Sequence, residues 1–142
     1  MPPDAKVIGL AATWWRMAED DLRYAERGLD IPFACGFHCQ QAVEKAIKAL
    51  LVLHQIDFPR THDLQELLDL LPESQVRTDA WAGEASEFLA RFAVETRYPP
   101  GEATAPEAER ALTLARAMLD WMRAQLPNEV TTVHGPPNPQ GR

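Results

Sequence analysis

The sequence predicts an all-α protein, an up-and-down four-helix bundle with one short additional helix. Apolar residues recur at steps of three and four in four long segments. No segment alternates apolar and polar residues as a half-buried strand does, and capping residues and prolines fall between the segments. The chain has 142 residues, 46% of them hydrophobic, which is enough for one domain with an ordinary core.

The first helix is predicted over residues 5–28, with Asp4 as its N-cap and Pro32 following its end. Trp15 lies just off the apolar stripe of this helix, which predicts that Trp15 belongs to a second interface. The stripe itself consists of Val7, Leu10, Ala11, Trp14, Met17, Ala18, Leu22 and Ala25.

The second helix is predicted from Pro32 to about Ile56, because proline fits the first turn of a helix, where its missing N–H costs nothing. Gly36 lies within its apolar stripe. A glycine costs about 1 kcal/mol relative to alanine inside a helix, so we interpret Gly36 as permitting a close helix contact. The stripe contains Gly36, Cys39, Val43, Ala46, Ile47, Leu50 and Leu53.

The chain contains two cysteines, Cys35 and Cys39, four positions apart on the second helix. Parallel Cβ vectors make a disulfide at this spacing unfavourable, so we interpret both as core residues of a protein from a reducing, cytoplasmic compartment. A metal site that combines them with His38 is disfavoured, because three ligands on one helical arc lack the usual geometry of a zinc site. We expect no metal and no cofactor.

Thr61 is the expected N-cap of the short additional helix, whose sequence DLQELLDLL ends at Pro72. Asp79 is positioned to cap the next long helix. That helix is predicted to break at residues 97–101, RYPPG, because two prolines and a glycine cannot continue it.

Thr104 and Glu107 form a capping box at the start of the last helix, which is predicted to run to about Leu126. Residues 127–142 contain four prolines and few apolar residues. The sequence therefore predicts a bundle over residues 1–126 followed by a disordered, proline-rich tail.

The net charge of −7 argues against broad nonspecific binding to nucleic acid or to an anionic membrane. The longest apolar run, at residues 49–53, is far too short to span a bilayer. The N-terminal residues lack the charged and long apolar regions of a signal peptide. These features predict a cytoplasmic protein without a membrane partner.

Two segments carry a family pattern. Residues 37–50 read FHCQQAVEKAIKAL, and residues 61–64 read THDL. The pattern also includes Asp21-Leu22 on the first helix and Arg97-Tyr98-Pro99 at the predicted break. Over about residues 5–126 the chain resembles the HEPN domain family, small helical domains named for higher eukaryotes and prokaryotes nucleotide binding.

The resemblance implies a bundle of four to five helices, frequent homodimerisation and frequent partnership with a minimal nucleotidyltransferase, as in toxin–antitoxin-like systems. Many HEPN proteins are metal-independent RNases with an Arg-x4–6-His motif, whereas others bind nucleotides or act as partner subunits. This sequence has no arginine five to seven residues before His38, His54, His62 or His134. The resemblance therefore favours a binding or partner module over an enzyme with that motif.

The second helix also carries candidate ligand residues. Steps of three and four place residues on the same side of a helix. One flank of this helix therefore carries Gln41, Glu44, Lys45 and Lys48. The two lysines can offer positive charge to a phosphate. The alternative is a solvated face on which Glu44 and Lys48 form an ion pair.

Further candidates lie at helix ends. His62 opens the short helix, where an anion is favoured, or else it belongs with Thr61 and Asp63 to an ordinary helix cap. Arg97 offers a planar fork to a phosphate and Tyr98 a ring to a base, or else both cover the end of the bundle.

Asp21 lies beside the buried stripe of the first helix, where a carboxylate needs a partner. Lys45, His62 or Arg97 can supply one across the bundle, which would make Asp21 the organiser of a polar site. Three functions stay open: a module for a nucleotide or another phosphate-bearing ligand, an RNase toxin with a divergent site around His62 and Arg97, and a structural homodimer that associates through the flank bearing Trp15.

Overall fold

The computed structural model describes residues 1–72, 80–93 and 102–132. In these ranges the regular structure is entirely helical, and the predicted all-α bundle with a short additional helix is confirmed. The predicted cap Asp79 and the predicted break at 97–101 lie outside the described residues. The helices are α1 Ala5–Arg27, α2 Pro32–Leu53, α3 Leu64–Asp69, α4 Ala80–Ala90, α5 Ala105–Arg123 and α6 Asn128–Thr131.

The central element is α2, which packs against α1 on one side and α5 on another. The short α3 lies against α2 and α4, and α4 also contacts α5. As a result, α2 is buried around much of its circumference, including several of its polar positions.

The buried face of α1 matches the predicted stripe only in part, since Ala11, Ala18 and Ala25 are buried as predicted. Trp15 is fully buried, so its assignment to a second interface is wrong, and the Arg123 guanidinium lies 5.1 Å from the centre of its ring. Leu10 and Met17 are exposed instead. Apolar residues cover two adjacent stripes of α1, both with helical spacing, and only packing decides which one enters the core. The buried residues are Ala11, Ala12, Trp15, Ala18, Asp21 and Ala25.

The end of α2 is set by the chain that follows it. Gln55 has a left-handed backbone with φ 58°, its N–H donates to the Val52 carbonyl, and the Ile56 N–H donates to the Leu51 carbonyl. This pair of bonds is a Schellman motif, which closes the helix at Leu53 rather than at the predicted Ile56.

The cap of α3 is Asp63, whose carboxylate accepts hydrogen bonds from the Gln65 and Glu66 N–H groups. The prediction of Thr61 as the cap is therefore wrong, because the helix begins at Leu64 and Thr61 is too far from its first turn. The Thr61 hydroxyl instead accepts from the Asp63 N–H and donates to the Glu66 carboxylate.

The other caps match the sequence. The Asp4 carboxylate accepts from the Val7 N–H at the start of α1. Thr104 and Glu107 form both bonds of the predicted capping box at the start of α5. Hydrogen bonds from Thr104 hold the pKa of Glu107 below its usual value.

The predicted disordered tail begins too early. Asn128–Thr131 form α6, which packs on α1, and Val130 is fully buried. One turn of helix is enough to bring this single apolar side chain into the core, which a compositional argument cannot detect. The disorder prediction is therefore wrong for residues 127–132, and residues 133–142 lie outside the described part of the chain.

Both cysteines are free and buried, as expected for core residues. Burial raises the pKa of the Cys35 and Cys39 thiols, so both stay protonated and are poor ligands and nucleophiles. Among the described residues, no group of three His, Cys, Asp or Glu side chains is arranged to hold a metal ion. None of the helices described is long and apolar enough to cross a membrane.

Gly36 provides the first test of this packing. A Cβ atom added at Gly36 would lie 2.3 Å from Cε1 of Phe92, a buried ring, so we expect Gly36→Ala to lower the free energy of unfolding by about 1–3 kcal/mol. Gly9→Ala is the matched control, because nothing lies within 4 Å of its added Cβ. That variant should gain up to about 1 kcal/mol from helix propensity. Urea denaturation of both variants checks the pair, and equal effects would contradict the close contact.

Candidate functional site between α1 and α2

The candidate ligand residues that the structure describes gather on one side of the molecule, along the junction of α1 and α2. They form two polar groups joined by α2. The Asp21 cluster contains Asp21, His38 and Lys45, and the Glu44 cluster contains Gln40, Glu44, Lys48 and His62. Arg97 and Tyr98, the remaining candidates, lie outside the described residues.

The Asp21 cluster is organised by one buried carboxylate. Lys45 Nζ donates to Asp21 Oδ2 at 2.6 Å, and His38 Nδ1 lies 2.8 Å from Asp21 Oδ1. The structure therefore gives Asp21 one of the partners considered from sequence, Lys45, and adds His38. The lysine charge balances that of the carboxylate, which allows Asp21 to be buried in its ionised form.

The environment of His38 fixes its ring. An ionised carboxylate can only accept, so Nδ1 carries the proton that faces Asp21. The Tyr24 ring stacks on it with centroids 4.9 Å apart and planes 18° from parallel. The Phe37 ring meets it edge-on at 5.5 Å. The imidazole is thus held on three sides, and no hydrogen bond from the described residues occupies Nε2.

His38 was missed as a ligand residue: from sequence it figured in the family pattern and in a disfavoured metal site, but not among the candidate ligand residues. A usable signal existed. His38 and Lys45 are seven positions apart on one α2 face, and Asp21 flanks the core stripe of the neighbouring helix. If α1 and α2 pack side by side, the Asp21 carboxylate faces both His38 and Lys45.

The Glu44 cluster is more deeply buried. Glu44, 3% exposed, accepts from Lys48 Nζ at 2.8 Å on Oε2, and its Oε1 lies 3.0 Å from His62 Nδ1. The fully buried Gln40 amide donates to Glu44 Oε1 at 3.2 Å and to the His62 carbonyl at 3.0 Å. This network ties α2 to the loop that precedes α3.

Lys48 does not lie on a solvated face. It is buried, and its ammonium lies 5.4 Å from the ring centroids of both Trp14 and Phe58. The Glu44–Lys48 ion pair considered from sequence is present, but inside the structure. With its charge balanced by Glu44 and covered by two rings, Lys48 is placed to stabilise the fold rather than to contact a ligand.

The remaining candidates are accessible. The His62 side chain is 69% exposed, with Nδ1 held by Glu44. Gln41 is half-buried and donates to Gln40 Oε1 at 2.8 Å. Lys45 is partly exposed and uses one of its three N–H bonds on Asp21. An RNase site around His62 and Arg97 stays a prediction, because Arg97 is outside the described residues.

The model of the HEPN domain family matches residues 11–125, which include both clusters. This chain belongs to the HEPN domain family. HEPN domains commonly form dimers. The HEPN assignment agrees with the helical bundle and with the family pattern on α2.

Two solved structures resemble this HEPN domain. The crystal structure of the TT1696 protein from Thermus thermophilus is 31% identical with a TM-score of 0.71, and the match covers 82% of this chain and 98% of that one. The crystal structure of an archaeal HEPN homologue, 24% identical with a TM-score of 0.64, supports the fold, and covers 81% of this chain and 96% of that one. No curated protein matches the chain.

We expect disruption of the Glu44 cluster to lower the stability of the fold strongly. Removing one partner of a buried ion pair leaves an unpaired charge, so Glu44→Ala should lower the free energy of unfolding by about 3 kcal/mol or more. Glu19, which pairs with Arg123 at the surface, is the control, and Glu19→Ala should cost about 1 kcal/mol or less.

A double variant separates charge from packing in this test. Replacing both Glu44 and Lys48 by methionine should destabilise the protein less than Glu44→Ala alone, because neither charge is then left buried without a partner. Thermal and urea unfolding measure all three variants. A Glu44→Ala effect no larger than that of Glu19→Ala would contradict the role of this network.

Proposed function

We propose that this HEPN protein is a binding module that holds a phosphate-bearing ligand, a nucleotide, at the Asp21 cluster, and that it acts as the partner of a minimal nucleotidyltransferase in a toxin–antitoxin-like pair. The observation that carries the ligand site is the placement of Lys45 and His38 on the two oxygens of one buried carboxylate. The nucleotidyltransferase partnership rests on the family alone.

Lys45 is the phosphate-binding residue of this proposal. Its ammonium is fixed by Asp21 and keeps two further N–H bonds for an incoming oxygen. A positioned, partly desolvated ammonium binds phosphate better than a mobile surface lysine, because less side-chain freedom is lost on binding. Gln41 lies one turn earlier on α2, where its amide nitrogen donates to Gln40 and Glu44 and so links the helix flank of Lys45 to the Glu44 cluster.

The Glu44 cluster has a supporting role in this proposal. Its buried ion pair and the Gln40 amide fix α2 and the loop of His62, so Gln41 and Lys45 are presented from a rigid helix. Rigid elements hold a ligand site more accurately than loops do.

The ligand site predicts an effect of Lys45 on nucleotide binding. Isothermal titration of the full chain with ATP and AMP should show binding, and Lys45→Ala should weaken it at least about tenfold, since a hydrogen bond to a charged group contributes about 1.5–3 kcal/mol. Lys6→Ala removes the same charge from an exposed position in the first turn of α1 and should leave the affinity unchanged.

Lys45→Gln keeps a donor beside Asp21. It is the control that separates a lost ligand contact from misfolding. It should unfold at nearly the wild-type temperature and still bind nucleotide more weakly. If neither ATP nor AMP binds the wild-type protein at millimolar concentration, the ligand part of the proposal fails.

The outer face of α1 supports self-association. Leu10, 52% exposed, and Met17 project from α1, and Leu10 borders an apolar groove of about 570 Å³. An apolar groove bordered by an exposed leucine is the kind of contiguous apolar surface on which a protein partner can pack. The groove is lined by Val7, Leu10, Trp14, Val52, Gln55, Ile56, Asp57 and Phe58.

We propose that a second copy of this chain covers this face. Projecting apolar side chains and an apolar groove lie side by side, so a two-fold axis between copies lets each α1 enter the groove of the other. This surface replaces the flank bearing Trp15, which is buried in the core.

If the protein self-associates through this face, its mass in solution should depend on Leu10 and Met17. The wild-type protein should scatter light as a dimer at micromolar concentration, and Leu10→Glu with Met17→Glu should yield a folded monomer, because two charges cannot enter an apolar groove. Ala117→Glu, at an exposed position of α5, is the control and should stay dimeric. A wild-type monomer would contradict the dimer.

The partnership is tested by chromatography with light-scattering detection. A minimal nucleotidyltransferase that pairs with the protein should elute with it as one larger complex.

A further inference from the structure

We infer that Tyr24 anchors the contact between two copies of this chain, the ring of each copy entering the apolar groove of the other about a two-fold axis beside Met17. The inference rests on the proposed self-association. It adds the residue that fills the groove and the antiparallel direction in which the two α1 helices pack. Tyr24 belongs neither to the family pattern nor to the apolar stripe predicted for α1.

Tyr24 projects from α1 as a ring that is already held in place. It is 67% exposed, yet one face of its ring stacks on His38, whose imidazole is itself fixed by Asp21 and Phe37. A fixed ring loses little side-chain entropy when a partner covers it. Tyrosine is also among the residues that most often dominate the binding energy of an interface. Tyr24 is therefore preorganised to enter a partner.

The groove beside Leu10 suits an aromatic ring. It has a volume of about 570 Å³, and its walls include the rings of Trp14 and Phe58, which meet edge-on with their centroids 6.2 Å apart. A third ring packs favourably against such a pair. Two exposed polar residues of the lining, Gln55 and Asp57, offer oxygen acceptors to a tyrosine hydroxyl.

The spacing along α1 relates the ring to the groove. Leu10, Met17 and Tyr24 are exposed and follow one another at seven residues, close to two helical turns, so they lie on one stripe. At about 1.5 Å per residue, Tyr24 lies about 21 Å along the helix from Leu10, too far to reach the groove of its own copy. Met17 is the midpoint between them.

A two-fold axis at this midpoint satisfies both copies at once. With the two α1 helices antiparallel about Met17, the Tyr24 ring of each copy meets Leu10 and the groove of the other, as a self-complementary interface requires. The interface then reaches the Asp21 cluster, because the inner face of the Tyr24 ring rests on His38. The proposed ligand site therefore lies at the edge of the contact between copies.

The strength of the dimer tests the anchor. Light scattering over a dilution series of the full chain should show that Tyr24→Ala raises the dissociation constant of the dimer at least about thirtyfold, the effect of a dominant interface residue. Tyr24→Phe is the matched control and should stay within about tenfold of the wild type, because it keeps the ring. Tyr24 is mostly exposed, so both variants should fold, which circular dichroism checks.

Cross-linking tests the direction of packing independently of affinity. Met17→Cys should form a disulfide between copies on mild oxidation, because a residue beside a two-fold axis faces its own counterpart. Leu10→Cys alone should not, since its two copies lie about 21 Å apart and a disulfide needs Cα atoms within about 7 Å. A mixture of Leu10→Cys and Tyr24→Cys chains should cross-link. Cys35 and Cys39 are fully buried and do not interfere.

The outcomes separate this inference from the proposed self-association. If the wild-type protein is a dimer but Tyr24→Ala leaves its dissociation constant unchanged, or if Met17→Cys fails to cross-link, the Tyr24 anchor is overturned and the dimer stands. If the wild-type protein is a monomer at micromolar concentration, both the dimer and the anchor fail. Neither result depends on whether the Asp21 cluster binds a ligand.

Discussion

The structure depends on the pairing of charges on a helix that the bundle surrounds. Packing by α1, α3 and α5 leaves little of α2 open to water, yet α2 carries Glu44, Lys45 and Lys48. A buried charge without a partner costs several kcal/mol, so each of these residues has to meet an opposite charge. Lys48 meets Glu44 within the helix, and Lys45 meets Asp21 from α1.

The two ion pairs have different consequences. The Glu44–Lys48 pair is closed off by Trp14, Phe58 and Gln40, and therefore acts on stability and on the position of the loop that precedes α3. The Asp21–Lys45 pair opens to solvent on one side. The same requirement for pairing thus closes one part of α2 to solvent and leaves Lys45, the residue of the proposed ligand site, partly exposed.

Sequence reasoning identified the fold and most of the polar residues, but it misassigned the faces of α1. Ala11, Ala18 and Ala25 lie between two sets of apolar residues, one with Leu10 and Met17 and one with Trp15, and from helical spacing either set could complete the buried face. The candidate site shows a similar pattern. Asp21 was expected to need a partner and Lys45 was one of those considered, whereas His38 was missed because its role depends on the packing of α1 beside α2.

The sequence by itself determined the helical class, the capping box at Thr104, the need for a small residue at Gly36 and the family pattern on α2, because these depend on local spacing and steric size. Only the tertiary structure decided that Trp15 is core, that Lys48 is buried and that Tyr24 covers His38. These outcomes depend on the relative rotation of neighbouring helices, which many long-range contacts set together and which no single segment encodes.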